Sequence, residues 1–268
     1  MMKFMGIIAT SLLAALVVWM ACDVLYRGAA GVHAGYLTDD PSNLGRSGGI
    51  GPMLVSTGII VSLATLLAGL VSLPLAVAYS ELNAPASLRK VIRSTLDVGV
   101  GVPRIVWGLF GGAFFVGYCG FGFSLLSGIL TMACLLAPIM TTGFIAGLEM
   151  VDDEIREQCA ALGVDRWQTA WRQVVPAALP GLSAPLALAA GRGCGDAAAL
   201  LFTAGISMQM PHSLFDSGAT LSVFVFHLLG TVPGGQNAAY SAAAVLLVVT
   251  LSIQLAIASV TRDERYAQ

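Results

Sequence analysis

Six long apolar stretches separated by polar ones constrain this chain more than any other feature. They run Phe4–Leu25, Met53–Tyr79, Leu96–Tyr118, Phe123–Leu148, Ala177–Ser207 and Ala238–Val260. An α-helix rises 1.5 Å per residue, so about 20 apolar residues cross the roughly 30 Å hydrocarbon core of a bilayer. Pro74, inside the second stretch, is tolerated in lipid where neighbouring helices satisfy the carbonyl it frees. The expected fold is therefore all-α, a polytopic membrane protein with six transmembrane helices. Composition agrees. Only 10% of residues are charged and 57% are hydrophobic, with mean hydropathy +0.84, against about 25% charged in ordinary soluble domains. The net charge of −2 comes with no basic patch, which excludes a nucleic acid partner.

The first stretch is longer than the apolar core of a cleaved signal peptide and is read as a retained helix. Trp19-Met20-Ala21-Cys22 falls where a lipoprotein cleavage site would lie, but Trp19 does not fit the small or aliphatic residue such a site needs. The five cysteines form no CxxC and have no partnering His, so they read as small buried hydrophobes and no metal set is expected. Tyr26–Pro52 has the Gly, Asp, Ser and Asn content of an extramembrane connector, and Glu81–Arg93 is a polar link. Leu221–Leu229 is apolar but too short to span, so 212–230 is expected to be re-entrant or interfacial. Residues 1–52 thus hold the first helix and its connector, 53–262 the main membrane domain with a polar loop at 150–176, and 263–268 a tail. With the N-terminus in the cytoplasm, Lys3, Arg89, Lys90, Arg93, Arg156, Arg166, Arg172, Arg262 and Arg265 fall inside, and Arg27 and Arg46 outside. That asymmetry follows the positive-inside rule and predicts that both termini and the loop are cytoplasmic.

The loop, DDEIREQCAALGVDRWQTAWRQVVP from Asp152 to Pro176, holds three of the 13 basic and five of the 15 acidic residues. Its pattern predicts two short amphipathic helices joined at Gly163, with Ile155, Trp167 and Trp171 on an apolar face. Glu157, Ala161, Leu162, Gly163 and Pro176 resemble the cytoplasmic loop of bacterial ABC importer permeases, in which Glu-Ala-Ala precedes a Gly four residues on. Gln158 and Cys159 stand in place of the two alanines. The resemblance implies that Glu157, Ala161, Leu162, Gly163, Trp167, Trp171 and Pro176 couple the chain to a separate ATPase. A helix lying on the membrane surface is the other reading of the tryptophans, but its polar face would be rich in Lys or Arg.

Two arginines, Arg104 and Arg192, lie within predicted spans. A charge at the bilayer centre costs on the order of 2.5–3.5 kcal/mol and should face a cavity or a partner. Asp196 is four residues beyond Arg192, the spacing at which helical side chains meet. The two therefore form a neutralised structural pair, or Arg192 presents its donor fork to an oxyanion while Asp196 orients it. Arg104, after Pro103, aims into a pathway or snorkels to an interface. Asp97 pairs with Arg104 or Arg93.

Taken together, SGGIGPML, VPRIVWGLF, EQCAALGVDRWQTAWRQVVPAALPG and GRGCGDAAALLFTAG resemble the phosphate ABC transporter permease family, in particular its A-type subunit. The resemblance covers roughly residues 45–230 and implies that Arg192 is the pathway arginine and Asp196 stands for a family glutamate. Arg104 replaces a family serine, while Ala197 and Ala199 replace Thr and Pro. It further implies a bacterial inner-membrane importer moving inorganic phosphate. The partners would be a second, homologous permease subunit, a dimer of ATP-binding subunits carrying ATP and Mg, and an external phosphate-binding protein. This chain, which has no Gly-x4-Gly-Lys-Ser/Thr loop, would bind no cofactor and hold no ATPase site of its own. A permease for another oxyanion or solute and a nucleotide-independent secondary transporter are the alternative readings.

Overall fold

In the computed structural model, residues 2–82 and 85–265 are described. Of the tail expected at 263–268, residues 263–265 belong to the last helix and 266–268 lie outside the described residues. α1 (Met2–Ala29) leads through a connector, with a two-residue antiparallel hairpin of β1 (Pro41–Ser42) and β2 (Ser47–Gly48), to α2 (Gly51–Ser80). Pro52 sits in the first turn of α2, where a missing N–H costs nothing. α5 (Leu125–Glu149) and α8 (Val175–Gly195) complete the central core. Met53, Ile60, Ile129, Met132, Leu136, Met140 and Leu148, from α2 and α5, are among its fully buried side chains. Ser72 Oγ of α2 donates to the Ala137 carbonyl of α5 at 3.0 Å. Small residues let α5 meet α8 closely: a Cβ at Gly143 would lie 2.5 Å from Pro185, and one at Gly147 3.1 Å from the Gly181 carbonyl carbon.

Among the described residues five helices are long and apolar enough to cross a membrane. The sixth candidate span is a bent pair of helices, and it departs from the continuous span expected at Leu96–Tyr118. α3 (Ala86–Gly101) starts earlier and carries Arg89, Lys90 and Arg93 on a helix. It stops at Val102, which is extended (φ −67°, ψ 128°), because the residue before a proline is disfavoured in the α region. α4 (Arg104–Gly111) then leaves at an angle of 98° to α3 and continues as a π-helix, Gly112–Tyr118.

The span expected at Ala177–Ser207 is also shifted. A continuous helix begins at α7 (Arg166–Thr169), passes through a π-helical turn at Ala170–Val174, and ends with α8 at Gly195. Pro176 therefore does not end the second loop helix. It has no N–H to donate, and just before it the ladder widens so that Val175 N–H bonds the Ala170 carbonyl five residues back. At the other end, glycines at 191, 193 and 195 weaken the helix and it stops before Asp196. The short helices α9 (Ala198–Leu201) and α10 (Leu221–Gly230) follow, then α11 (Gln236–Arg265). α10 is too short to cross. Its Leu221, Phe224 and Leu228 are buried against the core, and its first amide, on Leu221, donates to Thr57 Oγ1 of α2.

α1 touches the bundle at its C-terminal end, where Gly28 approaches Tyr240 and Ala244 of α11, and the rest of its length is exposed. Among the cysteines only Cys194 is buried; Cys22 and Cys119 are exposed, and Cys134 and Cys159 lie between. The expectation of five core cysteines fails because the outside of a membrane helix is itself an apolar environment, which accepts a thiol as readily as a core does.

Candidate functional site

Two of the sequence-selected residues, Asp196 and Arg104, meet at the break between α8 and α9. Asp196 caps the end of α8 in an extended conformation (ψ 105°), and its Oδ1 accepts the Ala199 N–H at 3.0 Å, opening α9. Its carboxylate is 1% exposed, and Oδ2 has no hydrogen-bond partner among the described residues. Arg104 Nη1 lies 3.5 Å from that oxygen, with 46% of the arginine side chain exposed. The expected Arg192–Asp196 contact is absent, because four-residue spacing brings side chains together only on one continuous helix and α8 ends between them. Arg192, half-buried in the last turn of α8, makes no ion pair or hydrogen bond among the described residues. Asp97 pairs with neither Arg93 nor Arg104. It lines a small cavity with Arg93, Tyr79 and Glu149.

Packing fixes the depth of the pair. Gly99, on the α3 side of the break, abuts Pro138, and Gly111 of α4 abuts Thr131. These positions are thirteen and six residues into α5, or about 20 and 9 Å along it. Arg104 falls between them, near half-depth of the bundle. Beside it is a cavity of about 460 Å³ lined by Arg104, Ile105, Asp196, Leu201, Phe202 and Phe226. A cation held there by a buried carboxylate, with part of its guanidinium open to the cavity, can offer donors to an anion.

The polar loop lies at the end of the bundle where α2 and α5 finish. α6 (Asp153–Ala161) is N-capped by Asp152, whose Oδ1 accepts the Glu154 N–H. It closes at Gly163, which has φ +71°, a backbone conformation that glycine adopts without strain, with Gly163 N–H on Ala160 O and Val164 N–H on Cys159 O. Asp165 then caps α7 through Trp167 N–H. Glu157, Ala161, Gly163, Trp167 and Pro176 are exposed, and Leu162 is 81% exposed. Trp167 and Trp171 stay together, their ring centroids 5.7 Å apart. They differ in burial: Trp171 packs on the hydrophobic core beside Leu73, Phe144 and Leu186, while Trp167 is 56% exposed.

Sequence reasoning missed one partner. The Arg156 guanidinium donates from Nε and Nη2 to the Glu81 carboxylate at 3.0 and 2.8 Å, and from its Nη atoms to the carbonyls of Val151 and Leu148 and to Asp153. Hydrogen bonding to Glu81 is the main cause raising the Arg156 pKa above its ordinary value. The available signal was Glu81 itself, a lone carboxylate directly after an uncharged span. At the opposite end, backbone N–H groups of His212 and Ser213 bond Asp216 Oδ2 at 2.8 Å each and hold its carboxyl below the usual range. Among the described residues no group of three or more His, Cys, Asp or Glu side chains is placed to hold a metal ion.

Residues 68–265, well over half the chain, match the family described as binding-protein-dependent transport system inner membrane component. The chain is 28% identical to the "Probable ABC transporter permease protein YqgI" of Bacillus subtilis, over 93% of its own length and 90% of the relative's. It is 30% identical to the "Phosphate transport system permease protein PstA 1" of Mycobacterium tuberculosis, over 94% and 85%. A solved bacterial ABC transporter involved in import of the acidic polysaccharide alginate has a chain of the same fold, with TM-score 0.65 at 15% identity over 96% of this chain and 95% of that one. The MetNI methionine transporter in an inward-facing state gives TM-score 0.65 at 16% identity, over 78% and 93%.

Proposed function

The chain belongs to the binding-protein-dependent transport system inner membrane components, the permease subunits of ABC importers, and from that premise we propose that its cargo is inorganic phosphate. Membership removes the nucleotide-independent carrier as an alternative. The observation that carries the cargo reading is the arginine pair of the bundle interior. Arg104 stands at half-depth beside a cavity, held by a carboxylate whose Oδ2 has no hydrogen-bond partner among the described residues. Arg192 lies four residues before that carboxylate, in the last turn of α8, with no ion pair or hydrogen bond among the described residues. Guanidinium forks match the geometry of a tetrahedral oxyanion. Relatives named for phosphate transport at about 30% identity support the same reading.

In the proposed cycle a binding protein delivers phosphate to the face opposite α6, and the anion passes from Arg104 toward Arg192. Closure of two ATP-binding subunits against α6 and the exposed Leu162 and Trp167 then rocks the bundle between outward and inward openings. A second permease subunit completes the pathway. N- and C-termini lie in the cytoplasm in this arrangement.

The test is uptake of labelled phosphate by the reconstituted complex against sulfate, phosphonate and arsenate. Phosphate should be accumulated with ATP and resist competition by sulfate. Arg192→Gln should lower uptake on the order of tenfold or more, since a hydrogen bond to a charged group contributes about 1.5–3 kcal/mol. Preferential accumulation of another oxyanion would change the cargo, and wild-type uptake by Arg192→Gln would remove Arg192 from the pathway.

A further inference from the structure

Arg156 occupies a junction that its sequence neighbourhood does not explain. Its guanidinium has five N–H donors, and the hydrogen bonds to Glu81, Val151, Leu148 and Asp153 use all of them. The partners belong to three elements. Glu81 is the residue that ends α2, Leu148 lies in the last turn of α5 with Val151 just beyond it, and Asp153 opens α6. The Leu148 carbonyl also accepts the Val151 N–H of the closing turn at 3.2 Å, so the guanidinium adds a second donor where α5 ends. Glu81 is 6% exposed, and Arg156 is the only side chain among the described residues that bonds it. A planar bidentate fork admits one relative orientation of the two groups, unlike a point charge. On its other side α6 ends at Gly163, whose φ of +71° turns the chain toward α7 with no side chain to brace the turn. The loop helix is therefore pinned at its beginning by a side-chain clasp and closed at its end by backbone bonds, Gly163 N–H to Ala160 O and Val164 N–H to Cys159 O.

We infer that the Arg156–Glu81 clasp is the joint through which displacement of α6 reaches the membrane helices, making α6, the end of α5 and the end of α2 a single lever that pivots at Gly163. This inference rests on the reading of α6 as the contact for an ATP-driven subunit and deepens it by naming the residues that carry the stroke inward. Arg156 and Glu81 are positioning residues, since neither meets cargo or nucleotide in this arrangement. The joint has a direction: a push on exposed Leu162 arrives at the end of α2, whose far end holds Thr57 against α10. Losing the clasp should leave the ATP-binding subunits docked and hydrolysing while the bundle fails to follow.

The experiment measures phosphate accumulated per ATP hydrolysed in proteoliposomes of the whole complex, for wild type, Glu81→Gln and Arg156→Lys. Glu81→Gln keeps the side-chain shape and removes the charge; Arg156→Lys keeps the charge and removes the fork. Both should lower the ratio on the order of tenfold, inside the 5- to 150-fold range typical of coupling between sites, with ATP hydrolysis per assembled complex falling less than about twofold. A role limited to stability would reduce the amount of complex and leave the ratio of each surviving complex unchanged, and that result in both variants overturns the inference. If Glu81→Gln does not assemble, the ratio in Arg156→Lys decides. Wild type that hydrolyses ATP without accumulating phosphate counts against the cargo instead. In that case the joint is read from ATP-dependent maleimide labelling of a Val55→Cys reporter at the far end of α2: a response in wild type that persists in both variants overturns the joint, and its loss supports it.

Discussion

The Arg104–Asp196 pair should be strongly asymmetric, and the asymmetry follows from burial. Replacing Arg104 by Gln leaves a carboxylate that is 1% exposed, with Oδ2 lacking any other described partner. Removing one member of a buried pair costs about 3–5 kcal/mol because the other charge stays desolvated. Replacing Asp196 by Asn is milder for two reasons. Asn retains the oxygen that caps α9 through Ala199 N–H. The Arg104 it abandons is 46% exposed and can turn into the cavity, which puts the cost near the roughly 0–1 kcal/mol of exposed pairs. The double variant has no stranded charge and should resemble Asp196→Asn, which gives a coupling energy equal to the Arg104→Gln cost, about 3–5 kcal/mol, between the two sites. For a chain of this size about 1 kcal/mol shifts the midpoint by 2–4 °C, so Arg104→Gln should unfold on the order of 10 °C below wild type and the double variant should recover most of that. Cys194, buried two residues before Asp196, is a local reporter once the other four cysteines are changed to Ser. Its reactivity with a thiol dye is followed on heating in detergent. A double variant as unstable as the sum of the singles, or an Arg104→Gln midpoint at the wild-type value, would refute the reasoning.

Two other outcomes are expected. Gly163→Pro should abolish uptake with the protein still inserted, since proline requires φ near −65° and removes the N–H bonded to Ala160 O, whereas Gly163→Asn, which tolerates the left-handed region, should retain most uptake. A normal rate in the Pro variant would show that the shape of this turn is immaterial. Asp216 has its pKa depressed by two backbone donors, so the stability it contributes is complete above its unfolded value near 3.8 and is lost as pH falls through the lower folded value. Amide exchange at His212 and Ser213, corrected for the intrinsic rate, should therefore show constant protection from pH 7 down to about 4.5 and lose it only below the ordinary carboxylate range, while Asp216→Ala should be unprotected throughout.

The number of crossings was legible because hydrocarbon thickness sets a length that an apolar run either meets or misses, and α2, α5 and α11 meet it with few interruptions. The site was legible as a set of residue types and illegible as a set of contacts. Spacing along one helix assigned Asp196 to Arg192, and that assignment presumed a helix through Gly193 and Gly195. Once the glycines end α8, Asp196 changes from a side chain on a helix face to the cap of α9, and the cation that reaches it comes from 92 residues earlier in the chain. Pro103 makes this possible: the 98° break leaves Arg104 at the start of a new helix in the middle of the bundle. The same limit hid Glu81, 75 residues from Arg156. Polar pairs inside such a bundle are chosen by where helices stop, and stops in lipid are written in Pro and Gly, whose effects depend on which neighbouring helix takes up the freed groups.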